Sequence, residues 1–252
     1  MTLRAFRAGE LAETLFPRFV DELAARLDDK ARDRNETVRD ALWALYGGDA
    51  RPEASLEANV VRASFDPRNG TLEAEYYKEL DQGKWAPVKP LLWFWQMFDH
   101  SPVGRNVLLG TRMRAMLAPR VFRRCGRNVR IFHDVEFSFG YNLSVGDDVT
   151  IHRNVLIDDR GEVVIGNNVS ISDYANIYSH SHAVEDINDV SLGKTVIGDN
   201  TRITYHSTVF SDVKVGHDAM VGSHGVANKD VPDFEIFGGV PARKIAQKKG
   251  HP

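Results

Sequence analysis

The chain has 252 residues, enough for one or two domains with a substantial core. Its 32 basic and 35 acidic side chains leave no basic footprint for nucleic acid, and its single cysteine excludes an internal disulfide framework. The sequence has no apolar run of membrane-spanning length and no signal-peptide core, so we expect a cytoplasmic protein without a nucleic-acid partner.

Residues 1–120 show mostly helical spacing of apolar side chains. The predicted elements are helices at 9–27, 35–46, 72–80 and 103–123, and a strand at 58–65. Pro17 is expected to kink or divide the first helix, and Gly47 to end the second. The apolar run at 91–98 predicts either core or a surface that packs against another element, a membrane or a partner. We therefore predict a helical N-terminal region.

A six-residue repeat follows, from about Cys125 to Val226. The residue at nearly every sixth position is apolar: Cys125, Ile131, Phe137, Val145, Ile151, Ile157, Ile165, Ile171, Ile177, Ile197, Ile203, Val209, Val215 and Val221. This period is typical of a parallel β-helix, in which short strands stack coil upon coil. The lone Cys125 occupies a repeat position, which favours a small buried side chain over a nucleophile.

The repeat is interrupted after each of its first three groups of three apolar positions. The step is eight residues from Phe137 to Val145 and from Ile157 to Ile165, and twenty from Ile177 to Ile197. A triangular coil has three faces, so three repeats make one turn and the extra residues leave at one corner. The longest insertion, residues 178–196, is therefore predicted to be a loop on a rigid scaffold, where chemistry is commonly located.

Asparagine and aspartate recur where the coil must turn. They are Asp147, Asp148, Asn154, Asp158, Asp159, Asn167, Asn168, Asp199 and Asn200. Both residue types tolerate left-handed backbone geometry and bond their own main chain, so we interpret all nine as corner residues.

Three stretches of the sequence carry a resemblance to a known family. They are Ile-Tyr-Ser-His-Ser-His at 177–182, Val-Ile-Gly-Asp-Asn at 196–200, and the closing residues 228–232 and 237–245, which include Gly-Val-Pro-Ala-Arg. Together with the repeat, they resemble the hexapeptide-repeat acyltransferases of the maltose and galactoside O-acetyltransferase branch. The resemblance covers about residues 125–247 and leaves the first half of the chain unmatched.

The fold expected from the repeat and the resemblance is mainly β. It consists of a helical N-terminal region at 1–120, a left-handed parallel β-helix at 121–231 with an extended loop at 178–196, and a closing segment at 232–252. Within the closing segment, residues 242–249 are expected to form a short basic C-terminal helix.

The resemblance implies an acyltransferase that moves an acetyl group from acetyl-CoA to a hydroxyl of a sugar or other small acceptor. Transfer from a thioester needs a base but neither a metal nor an enzyme nucleophile, and imidazole suits that role. The family's base stands five residues after a repeat position, which selects His182, with His180 as the second candidate. We expect His152, Glu185 and Asp186 at the acceptor.

The donor side and the assembly are likewise implied by the resemblance. Acetyl-CoA is expected in a groove between neighbouring β-helices of a homotrimer. The matching positions for binding it are Gly222, Ser223, Asn228, Lys229 and Arg243. Four hydrophobic residues between repeat positions are expected to serve the trimer surface: Val155, Val164, Val169 and Phe210.

Two alternatives remain open at this point. A γ-class carbonic anhydrase shares this type of β-helix and holds zinc with three histidines across a subunit boundary, a set that His180, His182 and His206 would supply here. The other alternative is a β-helix that serves as a non-catalytic scaffold.

Overall fold

The computed structural model describes residues 9–48 and 55–248, which form two compact units. One unit contains the described residues up to Leu72 together with Lys89–Leu117, and the other contains Glu73–Val88 together with the described residues from Ala118 onward. The outer ends of the predicted N-terminal and closing regions, 1–8 and 249–252, lie outside the described residues, as do residues 49–54.

The N-terminal half is helical, as predicted. Its helices are α1 (Glu10–Asp28), α2 (Arg34–Leu45), α3 (Leu56–Ser64), α4 (Gln82–His100) and α5 (Val107–Val121), with a short 3-10 helix at Glu73–Tyr76. Pro17 does not divide α1, because the burial of Val20, Leu23 and Leu27 holds the helix through the lost hydrogen bond. The apolar run at 91–98 lies in α4 and contributes core residues such as Leu91, which is fully buried.

The strand predicted at 58–65 is wrong, because this segment forms α3. The hydroxyl oxygen of Ser55 accepts a hydrogen bond from the backbone N–H of Ala58 at 3.1 Å and caps the helix N-terminus. Val60 and Val61 suggested a strand because β-branched residues favour strands, but the cap and the helical surroundings override this weak preference. The helix predicted at 72–80 is present only as the 3-10 turn Glu73–Tyr76.

The repeat region forms a parallel β-helix of three sheets. Its strands are β1 (Arg124–Cys125), β2 (Arg130–Ile131), β3 (Glu136–Phe137), β4 (Leu143–Val145), β5 (Thr150–Ile151), β6 (Leu156–Asp158), β7 (Glu162–Ile165), β8 (Ser170–Ile171), β9 (Asn176–Tyr178), β10 (His180–His182), β11 (Val190–Leu192), β12 (Lys194–Ile197), β13 (Arg202–Ile203), β14 (Thr208–Val209), β15 (Lys214–Val215), β16 (Met220–Val221), β17 (Val226–Ala227), β18 (Glu235–Gly238) and β19 (Arg243–Gln247). The sheet orders are β1-β4-β7-β12-β15, β19-β18-β16-β13-β8-β5-β2 and β17-β14-β9-β6-β3, and β10 and β11 form a separate pair.

The apolar repeat residues form the core of the β-helix. Every one from Ile131 to Val221 is buried, whereas Cys125 at the first coil is only half-buried. In one sheet, Val145 pairs with Ile165, Ile165 with Ile197, and Ile197 with Val215. Each apolar side chain therefore stacks on its equivalent in the next coil, and the core is a column that the six-residue period builds directly.

Most of the predicted corner residues are confirmed as corners. Asp148, Asn154, Asn168 and Asn200 have φ between 53° and 59°, the left-handed region that asparagine and aspartate tolerate. Along one edge, the side-chain Oδ1 of Asp199 accepts the backbone N–H of Asn167 at 2.7 Å. Asp158 and Asp159 are different, since both carboxyl groups are buried.

The closing segment contains no helix within its described residues, so the predicted C-terminal helix at 242–249 is wrong over 242–248. Strand β18 extends the sheet beside β16 in parallel, and β19 returns antiparallel along β18, with Gly238 paired to Arg243. The exposed edge of β18 supplies backbone partners over several residues, and pairing with it overrides the local helical preference.

Two of the four residues expected at the trimer surface are not available for it. Val155 and Val169 are each 1% exposed and belong to the core of the β-helix, whereas Val164 is half-buried and Phe210 is 47% exposed. Across the described ranges, the structure contains no helix that is long and apolar enough to cross a lipid bilayer.

Candidate active site

The three insertions in the repeat leave the β-helix at one corner, as predicted. The longest is a β-hairpin in which β10 pairs antiparallel with β11, His180 opposite Leu192 and His182 opposite Val190. Its base is held by Ser179, which is fully buried. The Ser179 hydroxyl donates to the carbonyl oxygen of Asp158 at 2.6 Å and accepts from the backbone N–H of Gly161 at 2.9 Å. The hairpin is thereby fixed to the preceding coil.

His180 is anchored by a carboxylate of that preceding coil. Its Nδ1 contacts Oδ2 of Asp158, and the two side chains are 16% and 5% exposed. The other carboxylate oxygen of Asp158 accepts hydrogen bonds from the Ser138 hydroxyl and from the backbone N–H of Arg160, both at 3.0 Å. The carboxylate therefore orients the ring through Nδ1 and directs Nε2 away from the anchor.

His182 is anchored by the backbone of its own hairpin loop. Its Nδ1 lies 2.6 Å from the carbonyl oxygen of Ile187. A carbonyl only accepts hydrogen bonds, so Nδ1 carries the hydrogen and the neutral ring has its free lone pair on Nε2. The side chain of His182 is exposed, unlike that of His180. The rings of the two histidines pack edge to face, with their centroids 5.1 Å apart and an interplanar angle of 86°.

A cavity of about 760 Å³ opens beside the hairpin. Its walls combine aromatic, aliphatic and hydroxyl groups with one imidazole, one amide and one carboxylate. The lining residues are Tyr178, His180, Ser181, Ser191, Leu192, Gly193, Thr208, Phe210, Ser211, Asp212 and Asn228. His180 and the predicted donor residue Asn228 thus share one cavity, whereas His182 lies next to the wall rather than in it. A volume of this size accommodates a small organic ligand.

The acidic residues predicted at the acceptor occupy the exposed tip of the hairpin. Asp186 stabilises the tip, since its Oδ1 accepts the backbone N–H of Asn188 at 2.8 Å. Glu185 is exposed. The carboxylate that contacts His180 belongs to Asp158, which we had predicted to be a corner residue. The sequence feature that could have indicated this contact is the position of Asp158 at the eight-residue step, which leaves the β-helix at the same corner as the long insertion.

The predicted donor residues lie after the last coils. Gly222 and Ser223 belong to the turn before β17, and the Gly222 N–H donates to the carbonyl oxygen of Phe237 at 2.7 Å. Asn228 and Lys229 follow β17, and Arg243 begins β19; all three side chains are exposed. The Arg243 guanidinium donates to the carbonyl oxygen of Ala242 at 2.8 Å. Two cations thus stand on adjacent parts of the closing region.

His152 and His206 belong to another corner of the coil, between the second and third sheets. His152 stacks on Phe132 with ring centroids 5.0 Å apart, and burial lowers its pKa. His206 is sandwiched between Tyr174 and His224, each 4.8 Å away. Within residues 9–48 and 55–248, no three metal-binding side chains of one chain come close enough to hold an ion. The three histidines of the zinc alternative are therefore not brought together in the chain.

Cys125 has the surroundings of a packing residue. Burial raises the pKa of its thiol to about 11, so the thiol is not the reactive thiolate form at neutral pH.

The comparisons with known proteins agree with the fold. Over 138 residues, the chain is 28% identical to a galactoside O-acetyltransferase of Escherichia coli, an alignment that covers 53% of this chain and 68% of that enzyme. It is 33% identical over 88 residues to a putative acetyltransferase of Bacillus subtilis, covering 35% of this chain and 49% of that protein. A solved structure of a galactoside acetyltransferase in complex with coenzyme A superposes with a TM-score of 0.58 at 25% identity, covering 68% of this chain and 85% of that one. No family model matches the chain.

The chain is similar in sequence to acetyltransferases and in fold to a solved galactoside acetyltransferase. This similarity confirms the resemblance drawn from the sequence and the predicted enzyme class, an acyltransferase.

Proposed function

We propose that the protein transfers an acetyl group from acetyl-CoA to a hydroxyl of a small acceptor, with a sugar as the expected class. The observation that carries the proposal is the pair of adjacent imidazoles, His180 and His182, each held by an oxygen at Nδ1 beside the cavity. The galactoside acetyltransferase solved with coenzyme A supports acetyl-CoA as the donor, and the galactoside enzyme of Escherichia coli supports a sugar hydroxyl as the acceptor.

In this proposal, His182 is the general base. The Ile187 carbonyl keeps the hydrogen on Nδ1, so Nε2 accepts the proton of the acceptor hydroxyl as its oxygen attacks the thioester carbonyl. A C–O bond forms, the C–S bond breaks, and the proton on Nε2 passes to the departing CoA sulfur. The thioester is already activated, and the protein's task is to remove one proton and return it.

His180 is the competing assignment for the base. It lines the cavity, and the Asp158 carboxylate contacts its Nδ1. We assign the base to His182 because its ring is accessible and because the family pattern places the base five residues after the repeat position Ile177. His180 then positions the base through the contact between the two rings.

The donor is assigned to the closing region, and the acceptor to the cavity. Asn228 reaches the cavity, while Lys229 and Arg243 offer exposed cations to the phosphates of CoA. The backbone groups of Gly222 and Ser223 are expected along the pantetheine arm. We retain the homotrimer in the proposal, with the donor groove between copies.

The first prediction concerns the two histidines. In an assay that follows free thiol release from acetyl-CoA across a panel of sugars and other hydroxyl acceptors, His182→Ala is expected to lower kcat about a hundredfold to ten-thousandfold, the usual contribution of a positioned base. Acetyl-CoA binding should be retained. His180→Ala is expected to cost less, because it removes only the positioning contact.

His217→Ala is the matched control, since His217 is exposed and lies at another corner, beside Asp218 and Asp233. If His182→Ala keeps a near-normal kcat and His180→Ala loses most of it, the general base is His180 instead of His182. If neither variant differs from His217→Ala, the hairpin is not the catalytic centre.

A further inference from the structure

A short segment outside the family resemblance packs at the corner that carries the histidines. Glu73–Val88 belongs to the same compact unit as the β-helix. The backbone N–H of Asp81 donates to the Tyr141 hydroxyl at 3.0 Å, and the Tyr77 ring meets the Phe139 ring edge to face at 6.3 Å. The segment is therefore attached to the first insertion in the repeat, residues 138–142.

Within this attachment, Glu79 and Arg160 form a buried ion pair. Arg160 Nη2 lies 2.9 Å from Glu79 Oε1, and the two side chains are 6% and 17% exposed. The guanidinium carbon also lies 4.0 Å from the centre of the Tyr77 ring, a cation–π contact. Burial acts to raise the pKa of Glu79, but hydrogen bonds from its own backbone N–H and from Arg160 outweigh it and lower the pKa. The carboxylate is therefore charged at neutral pH.

The ion pair is connected to His180 through the main chain of the second insertion. The backbone N–H of Arg160 donates to Asp158 Oδ1 at 3.0 Å, and Asp158 Oδ2 faces Nδ1 of His180. Glu79 therefore holds the side chain of Arg160, and the backbone N–H of Arg160 holds the Asp158 carboxylate, which orients His180. A change in the side-chain contact moves the loop at 158–161 and, with it, the anchor of His180.

The pair is not built for maximal stability. Arg160 Nε and Glu79 Oε2 are both buried without a hydrogen-bond partner among the described residues, so the two groups make a single contact where two parallel ones are available. A buried ion pair with unsatisfied atoms contributes little to the free energy of folding compared with an apolar pair of the same shape, although removing only one partner is destabilising. Its placement two residues from the histidine anchor points to the site instead.

We propose that Glu79 and Arg160 are positioning residues for the transfer reaction. They hold the Asp158 carboxylate against His180, and thereby bring the segment Glu73–Val88 into the construction of the active site. The inference rests on the proposed function for its kinetic consequence, whereas its structural claim concerns the contact between Asp158 and the His180 ring and stands apart from any assay.

The test uses Glu79→Gln, which keeps the shape and removes the charge, and Arg160→Lys, which keeps a charge and loses the planar fork. In full-length protein labelled with nitrogen-15 at histidine, both variants are expected to change the NMR chemical shifts of the His180 ring nitrogens, identified by their loss in His180→Gln, because the contact between Nδ1 and the Asp158 carboxylate changes. Both should lower kcat by roughly tenfold to a hundredfold, as misplacement of a catalytic group by about 1 Å does, with the KM for acetyl-CoA unchanged.

The control is Asp99→Asn, which breaks another buried ion pair, that of Asp99 with Arg114 in the other unit. It should lower Tm and leave the NMR chemical shifts of the His180 ring nitrogens in place. In a His180→Ala background, Glu79→Gln should have no further effect on kcat, because the two act through one contact.

His180 ring-nitrogen chemical shifts that are the same in Glu79→Gln, Arg160→Lys and the unmodified protein overturn the inference. If the unmodified protein turns over no hydroxyl acceptor, the proposed function fails, while the chemical shifts still decide whether Glu79 and Arg160 position His180.

Discussion

Asp158 and Asp159 are neighbours in the sequence and both are buried, yet their carboxyl groups contact different kinds of partner. Asp158 faces an imidazole and accepts a hydroxyl and a backbone N–H. Asp159 is fully enclosed, and burial raises its pKa to about 6, even though it accepts backbone N–H groups from Phe139 and Asn142. The first carboxylate orients the His180 ring, and the second is a structural group whose burial favours the protonated form in the folded state.

This contrast leads to a prediction on stability against pH. The pKa of Asp159 is raised in the folded state from an ordinary 3.8 to about 6, so its contribution is complete below about pH 4 and is lost as the pH rises through 6. The gap corresponds to about 3 kcal/mol, at about 1.4 kcal/mol per pH unit. Because part of this contribution is already lost at pH 4.5, urea unfolding at pH 4.5 and pH 7 should show the contribution of Asp159 to the free energy of unfolding fall by about 2 kcal/mol.

Asp159→Asn provides the comparison, because an amide does not titrate in this range. Its free energy of unfolding should lack this fall between the two pH values, whatever its absolute stability. Equal pH dependence in both proteins would show that Asp159 does not carry the effect.

At this scale, the sequence predicted backbone geometry better than side-chain environment. Asn168 and Asn200 recur at equivalent positions and adopt the left-handed turn that their residue type predicts. Asp158 has the same residue type and falls near a turn, but its environment comes from His180, twenty-two positions later, and from the loop that Glu79 holds. Such contacts depend on the closed coil and leave no local signal.

At the scale of elements, the period of the sequence predicted the β-helix, because each repeat residue needs only its equivalents in neighbouring coils. Both ends of the chain were harder to predict. The segment 58–65 was predicted to be a strand but forms a helix, because Ser55 caps the helix N-terminus. The segment 242–248 was predicted to be a helix but contains a strand, because it pairs with the open edge of β18. The hairpin β10–β11 was expected only as a loop, since its pairing depends on the scaffold that brings its ends together.

The closing region carries the second prediction for the proposed reaction. Lys229 and Arg243 are exposed cations, on the segment after β17 and on β19. Phosphate contacts bind the ground state and the transition state alike, so Lys229→Ala and Arg243→Ala should raise the KM for acetyl-CoA and change kcat little. Each charged contact is expected to be worth about 1–3 kcal/mol. Initial rates at varied acetyl-CoA concentration measure the effect.

Lys244→Ala is the control for charge and position, because Lys244 is next to Arg243 on β19 and is engaged with Glu235. Its KM for acetyl-CoA should stay close to that of the unmodified protein. If the KM for acetyl-CoA is also unchanged in Arg243→Ala and Lys229→Ala, the closing region does not bind the donor and its role is structural only.

At the scale of the whole molecule, the proposed donor groove requires more than one copy of the chain. Apolar side chains stand exposed along the corner that carries the hairpin: Val184 is 97% exposed, Ile187 75% and Leu192 50%. Of the surface residues expected from the sequence, Phe210 is exposed and Val164 is half-buried, whereas Val155 and Val169 are in the core. Closed threefold symmetry would cover such a corner in every copy without leaving an open end.

Sedimentation equilibrium at micromolar concentration should therefore give about 85 kDa, three times the chain mass of 28.3 kDa. If the groove between copies is the donor site, His182 of one copy and Arg243 of another can serve the same acetyl-CoA. Co-expression of His182→Ala with Arg243→Ala chains should then restore, at low acetyl-CoA, part of the activity that each variant lacks alone, because some grooves receive both intact residues. A trimer without such complementation places both residues in one copy's site, and a species of only 28 kDa rules out the shared groove altogether.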